Sequence, residues 1–552
     1  MCRFIKTSKI VSMKKKHLPI NSIVLLFLVF AAAVSLMSLI MGLSRRSATD
    51  SGEEEADVGG VVTLDWYVDQ PWFVETWGSD QVSRKITQDL GVSIRFITPV
   101  SNNDGLLESM IQAGRVPDLL TLDPDSESYA TLVNQKKLSS LNELANEYAP
   151  EFFENAKEEC RNFYQTPEGD LFAYPNAAIT ASDAANHEDL AANLTFLVRK
   201  DIYEALGRPD MTTPEGFRNT LQRAMRRFGA TENGLLIPIG GTPFTDSGCD
   251  SFDNFLQDFL AVPYEVNGRY YDRNTDPEYL RWLKVFRQLR QDGYLPSDVF
   301  VDQRIQITEN VEQGRYFCMI YQRTDIAEQQ AARYANDPDS VYIAVDGPRN
   351  SRGDDPVLPL SSVKGWMISM ISKDCKHPDL AMRLFSYLLS EEGQKLIYLG
   401  VEGEAYEELD DGTIVCDPEA NELRRFQKRT YNSIYGGDDT FWMLMDNVVQ
   451  QKWAYPLEEP TKQPAEWTYP YAAYTSQYDV AIPQDSELAR IETVQNELWG
   501  KTLRELLLAE NEAAFDKILA DYLKERELYG YDNLMEEKTR QMRLNKKAMG
   551  VQ

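Results

Sequence analysis

The sequence predicts an α/β fold whose sheets are mostly parallel. Short apolar strands alternate with helix-period segments along the chain, the pattern of βαβ units. The stretch Gly105–Pro150 shows one such unit whole, as helix, strand, loop and helix. Its strand changes at its carboxyl end from an apolar run to acidic, hydroxyl and aromatic residues. Ligands of open α/β sheets bind in the crevice outside such strand ends.

Val61–Val68 (VVTLDWYV) reads as the first strand, and Asp69, Gln70, Pro71 and Trp72 as the loop leaving it. A helix around Asp80–Leu90 leads through Gly91 to a second strand, Val92–Thr98. Leu106, Leu107, Met110 and Ile111 then fall at helical spacing. Gly114 closes that helix, since glycine takes the left-handed C-terminal position at little steric cost. Pro117 forces an extended residue before it. Leu119–Leu122 is apolar enough to lie buried between helices, and Asp123, Asp125, Ser126, Glu127 and Tyr129 follow it.

A turn at Pro167–Asp170 precedes LFAYPNA, which holds Tyr174 and Asn176. Leu194–Val198 is a strand, and a helix opened by Arg199 ends at Gly207. Thr213 is an N-cap with Pro214 at the first helical position. Phe217, Leu221, Ala224 and Phe228 share one helical face. Strands follow at Leu235–Gly240, at Tyr316–Tyr321 (YFCMIY) and at Val341–Val345. Pro378 starts a helix with Leu380, Leu384, Tyr387 and Leu388 on one face. The tail, Glu497–Gln541, is helical, with Phe515, Ile518, Leu519, Tyr522 and Leu523 as its stripe.

Length alone, 552 residues, allows about three to four domains or fewer large ones. With 43% hydrophobic and 11% aromatic residues the chain can bury sizeable cores. Residues 1–46 hold eight of the 57 bases and no acid, which leaves 49 bases against 86 acids, a net of −37. A surface that negative repels nucleic acid and anionic headgroups, so no nucleic-acid partner is expected.

Leu18–Leu43 is nearly all apolar and long enough to cross a bilayer as a helix. Lys14, Lys15 and Lys16 precede it, which keeps the amino end cytoplasmic and exports the rest. The run is long for a signal peptide, and no small-x-small site follows. The expectation is an uncleaved anchor on the outer face of the cell membrane; the alternative is cleavage and secretion. A start at Met1 or at Met13 serves either reading. Ser47–Gly60 (SATDSGEEEADVGG) is an acidic, flexible tether.

The exported part has five scattered cysteines, Cys160, Cys249, Cys318, Cys375 and Cys416, without C-x-x-C spacing. Neither a disulfide framework nor a zinc site is implied. No phosphate loop, H-E-x-x-H or G-x-S-x-G occurs. The three histidines, His17, His187 and His377, sit in polar or terminal contexts and give acid–base catalysis little support. Among 86 acids some carboxylate pairing is inevitable, so a glycoside hydrolase stands as an enzyme alternative. Asp123, Asp125 and Glu127 alternate as oxygen ligands do around Ca²⁺, but the glycine turn and distal glutamate of an EF-hand are missing. No cofactor, metal or catalytic residue is expected.

Nine Trp and 28 Tyr are many. Trp66, Trp72 and Trp77 cluster after the first strand. Tyr174, Tyr321, Trp366 and Trp442 fall near strand ends or connecting loops. Flat rings beside carboxylates, amides and arginine suit the apolar faces and hydroxyls of sugars. Trp66 lies inside a strand, where a core role competes with binding.

Several segments resemble one family. AGRVPDLLTLD, VRKDIYEALGRPDMTTPEGFRNTL, EQGRYFCMIY, GWMISMISKDCKHPDLAMRLFSYLLSEEGQKLIYLGVEGEAYE and AAFDKILADYLKERELYGYDNLMEEKTRQM follow, in order, segments of extracellular solute-binding proteins of family 1. These are the sugar-binding components of ABC transporters, and the resemblance runs through residues 61–545. The lipid-attachment cysteine of many members is absent here.

The resemblance implies two α/β lobes of periplasmic-binding-protein type joined by a hinge. Lobe one would be roughly 61–180 plus 340–430, and lobe two roughly 185–335 plus 435–552. It implies a monomer that captures a solute, an oligosaccharide for preference, in the cleft and delivers it to a permease. A membrane-anchored sensor of the same solute is the alternative. The candidate ligand-binding residues are Trp66, Asp69, Trp72, Asp123, Asp125, Tyr174, Asn176, Tyr321, Arg323, Lys364, Trp366 and Trp442.

Overall fold

Polar caps and special backbone positions cut the chain into its elements. In the computed structural model, Asp80 caps helix Gln81–Leu90 by accepting from the Ser83 amide, and Gly91 ends it at φ 68°. Thr213 and Asp276 cap helices Pro214–Phe228 and Pro277–Gln291, each with proline at the first position. The structure describes residues 60–101, 104–166, 168–231, 233–453, 459–480, 482 and 486–549. The expected membrane segment, and the tether up to residue 59, lie outside them. Among the described residues no helix is long and apolar enough to cross a membrane.

Eleven strands carry the argument: β1 Val62–Val68, β2 Val92–Ile97, β3 Leu119–Leu122, β4 Tyr174–Pro175, β5 Leu194–Arg199, β6 Ile237–Gly240, β7 Tyr316–Gln322, β8 Tyr342–Ala344, β9 Leu358–Pro359, β10 Ile368–Ile371 and β11 Ala472–Ala473. The first sheet runs β2-β1-β3-β10-β4 and the second β8-β5-β7-β6. Each sheet has its own apolar core. Trp66, Val68, Leu119, Phe385 and Ile397 belong to the first, and Phe196, Phe217, Trp282, Phe317 and Trp499 to the second. These are the two lobes.

The sheets are more mixed than the sequence pattern suggests. β1 pairs β2 and β3 in parallel, but β10 runs against β3 and β4. In the second sheet β7 and β6 are parallel, while β5 runs against β7 and β8. The reason is the chain's path. β5 and β10 are the strands reached directly from the other lobe. They start at the edge where their neighbours end and run away from it. Parallel neighbours need a crossover within their own lobe.

Three crossings join the lobes, along residues 176–193, 345–367 and, for the third, the described residues 446–453 and 459–475. β9 of the second crossing pairs β11 of the third. The Ile179 amide donates to the Ser362 carbonyl, tying the first to the second. Ile179, Leu190 and Val448 form a small buried cluster with Leu360 and Tyr474, so all three crossings share one apolar contact. Two expected boundaries move. β8 pairs β5, which places residues 342–344 in the second lobe. Phe441–Leu444 pack in the first core, not the second.

Candidate functional site

The ends of β1, β3 and β4 and the start of β10 lie on one edge of the first sheet, because Ile368 pairs both Leu122 and Pro175. That register brings the loops after β1 and β3 beside the loop before β10. Trp72, from the first loop, and Trp366, from the last, stack with planes 6° apart and centroids 6.2 Å apart. Trp442 lies against both, at 5.7 and 4.6 Å. Trp72 is 56% and Trp366 42% exposed, while Trp442 is 5% exposed. Two indoles thus present open surface over a third. The Trp72 Nε1–H donates to Gln70 Oε1 at 2.8 Å. The Trp442 Nε1–H has no acceptor among the described residues.

Acidic groups surround this shelf. Lys364 forms an ion pair with Asp125. The Asp125 amide donates to Asp123 Oδ1 at 2.8 Å, closing the turn that ends β3. Tyr67 Oη donates to Asp69 Oδ1 at 3.0 Å. Burial pushes both the Asp69 and the Asp123 carboxyl above the usual range, against the hydrogen bonds they accept. From the second lobe Lys538, paired with Glu492 at 2.7 Å, lies within charge-interaction range of Asp125.

Other candidates hold the site together from behind. Trp66 is fully buried, and its Nε1–H donates to Thr121 Oγ1 at 2.9 Å. Thr121 and Ser369 hydroxyls meet at 2.7 Å, and Ser369 Oγ donates to the Met443 carbonyl at 3.1 Å. This relay runs through the core to the residue after Trp442. Asn176 is also fully buried. Its Nδ2 donates to the Trp442 carbonyl at 3.1 Å and its Oδ1 accepts from the Met367 amide at 2.8 Å. The Trp366 amide donates to its carbonyl at 3.2 Å. Asn176 therefore fixes two of the three indoles without meeting solvent. Trp66 and Asn176 expose no surface in this structure.

Tyr174 is buried, and its hydroxyl accepts from the Lys157 amide at 2.9 Å. Tyr321 is buried in a second-lobe cluster with Ile326 and Tyr342. Neither offers a face to a solute. Arg323 follows β7, and its Nε donates to the Ala192 carbonyl at 2.9 Å, where the first crossing enters β5. Burial pushes its guanidinium below its usual range. The structure thus brings together Trp72, Trp366 and Trp442, and beside them Asp69, Asp123, Asp125 and Lys364.

Two nearby groups were not among the candidates. Gln70 orients Trp72, and its place in the same strand-end loop was the signal for it. Asp479 lies within charge range of Lys364 and Asp125, and burial raises its carboxyl. It follows the third crossing in the chain, and nothing local in its sequence marks it. Among the described residues no group of three or more His, Cys, Asp or Glu could hold a metal ion. Asp125 faces the Lys364 ammonium instead.

Residues 84–401 match the family described as bacterial extracellular solute-binding protein, more than half of the chain. The chain belongs to that family. No curated protein matches it. Among solved structures, this solute-binding protein is similar to the Streptococcus pneumoniae ABC-transporter substrate-binding protein FusA in complex with kestose. That match is 14% identical, with a TM-score of 0.67, over 88% of this chain and 100% of the other. An HMO-binding, ABC-transporter-associated solute-binding protein from Bifidobacterium longum infantis gives 14% identity and a TM-score of 0.62, over 88% and 99%. The N-glycan transport protein NgtS of Streptococcus pneumoniae, in complex with Man1GlcNAc, gives 14% and 0.53, over 88% and 99%. At such identities the likeness establishes the fold, the two-lobed α/β fold of periplasmic binding proteins.

Proposed function

We propose that this protein captures an oligosaccharide between its lobes, on the outer face of the membrane, and hands it to an ABC-transporter permease. The observation that carries the reading is the exposed Trp72–Trp366 pair over Trp442, at the sheet edge where the crossings leave the lobe. Flat indoles cover the apolar face of a pyranose or furanose ring. The flanking carboxylates accept from its hydroxyls. The three similar solved proteins, one in complex with kestose, one HMO-binding and one an N-glycan transport protein, support a glycan in preference to a peptide or metal. Closure about the three crossings would bury the glycan.

The test is a thermal-shift panel of fructan, milk-type and N-glycan oligosaccharides, with amino acids and short peptides beside them. A ligand bound by the folded state alone raises the melting temperature. A rise with one glycan class, followed by calorimetric titration, is the expected result. A rise with peptides and none with any glycan overturns the reading.

A further inference from the structure

A cavity of about 1100 Å³ lies in the second lobe between helices Pro214–Phe228, Pro277–Gln291 and Glu512–Leu528. None of these helices contributes to the tryptophan shelf. Leu280, Val285, Phe515 and Leu519 give the cavity an apolar wall. Three of its cations are already paired: Arg218 with Asp292 at 2.5 Å, Lys284 with Asp516 at 2.8 Å and Arg281 with Glu278 at 2.8 Å. Glu215 and Glu512 also line it, in the first turns of their helices, where the positive end of the dipole offsets their charge.

Arg287 is the exception. It lines the cavity, is only 4% exposed, and its Nε and Nη1 are buried without an acceptor. Its Nη2 reaches only Gln288 Oε1, at 3.4 Å. No carboxylate among the described residues pairs with it. A buried charge without a partner is unfavourable until an anion meets it. The fork of an arginine matches a carboxylate through two parallel hydrogen bonds.

We propose that this cavity is a second ligand site, separate from the cleft, which takes a carboxylate carried on an apolar body. The carboxylate pairs with Arg287 and the body lies along Leu280, Val285, Phe515 and Leu519. The volume lies slightly above the usual range of small-ligand pockets. It admits a free organic acid, or the Asp or Glu side chain of a docking protein segment with its apolar neighbours.

The full chain is titrated by calorimetry with 4-phenylbutanoate and with an acetylated leucine-rich peptide bearing one glutamate. 4-Phenylbutanol and 4-phenylbutylamine are the controls. The acid is expected to bind at least about tenfold more tightly than either control, and Arg287→Met to remove that preference. Tighter binding of the small acid assigns the site to a free ligand, and tighter binding of the peptide to a docking segment. Without any ligand, Arg287→Met should melt no lower than the parent, since the guanidinium it removes has no carboxylate partner and one long hydrogen bond, to Gln288. Should that variant fail to fold, Leu519→Glu, at a half-buried wall position, should weaken the acid about tenfold by like-charge repulsion. Equal binding of acid and alcohol, parent-like binding by both variants, or no binding of either acid below about 10 mM would overturn the proposal.

Discussion

The Lys157 ammonium donates to Asp446 Oδ1 at 2.9 Å across 289 residues of sequence. The same nitrogen donates to Asp183 Oδ2 at 2.8 Å and to the Ala178 carbonyl at 3.2 Å. Ala178 and Asp183 belong to the first crossing, Asp446 opens the third, and Lys157 belongs to the first lobe. One cation therefore fastens two crossings to one lobe. All three side chains are mostly buried.

Lys157→Met leaves two buried carboxylates facing each other, and should cost about 3 kcal/mol of stability at neutral pH. Denaturant unfolding of parent and variant measures it. Burial alone would raise Asp183, but the Lys157 hydrogen bond and charge hold it below the usual carboxylate range. A depressed carboxyl stabilises above its unfolded value and loses that contribution as pH falls through its folded one. The cost of the variant should therefore be complete above about pH 5 and shrink in stronger acid. A cost under about 0.5 kcal/mol would mean that the Ile179–Leu190–Val448 cluster alone holds the crossings.

Two other carboxylates act in the opposite sense. Burial pushes Asp253 up to about 7, although Trp499 Nε1 donates to it at 2.7 Å. Burial, and Asp438 beside it, push Asp439 up to about 7, although Gln450 donates to it at 2.7 Å. Each binds its proton more tightly folded than unfolded, so stability falls as pH rises from the usual carboxylate range through about 7. The melting temperature should be lower at pH 8 than at pH 5.5, and Asp253→Asn should flatten that slope. A melting temperature that rises across the window would show other groups to dominate.

Gly365 stands between Lys364 and Trp366 at φ 74°, and an added Cβ would meet the Asn176 carbonyl oxygen at 2.4 Å. Gly365→Ala must therefore shift either the Trp366 loop or the Asn176 backbone that anchors it. The expected loss is about 1–3 kcal/mol of stability, with a fall in solute affinity as the indoles part. Calorimetry and a melting curve on the same sample measure both. Parent-like affinity would show that the shelf tolerates the shift.

Elements of both lobes were legible where their signals are local. The strand Leu119–Leu122 and the Gly91 stop in the first lobe, and the Thr213 cap in the second, each depend on a few adjacent residues. The shelf residues were legible in kind, since strand-end loops carry exposed aromatics. Their mutual contact was not, because it depends on the β3–β10 register across some 250 residues. Trp66 and Asn176 looked like ligand contacts for the same reason. A polar tip on a buried side chain has the same composition whether it serves a solute or a carbonyl behind the site. The orientation of β5 and β10 was hidden too. It follows from which lobe the chain arrives from, and no local pattern encodes that.

The contrast between Trp72 and Trp66 gives the sharpest test of the site. Trp72 is more than half exposed and packs against the rings of Trp366, Trp442 and Phe73. Trp72→Ala should therefore weaken binding of the glycan found in the panel by about 1–3 kcal/mol, the scale of a lost aromatic contact, with little change in melting temperature. Asp123→Ala should do the same through a lost hydrogen bond, as its loop carries little core packing. Trp66 is fully enclosed against Phe96 and Phe385 and begins the relay to Met443. Trp66→Ala should cost about 3–5 kcal/mol of stability, because it removes a large core side chain and leaves Thr121 without its donor. Titration beside denaturant unfolding separates the two behaviours. If Trp72→Ala and Asp123→Ala both bind as the parent does, the glycan lies away from this sheet edge. If Trp66→Ala loses affinity while keeping full stability, the indole reaches the solute after all and the core placement of its role is wrong.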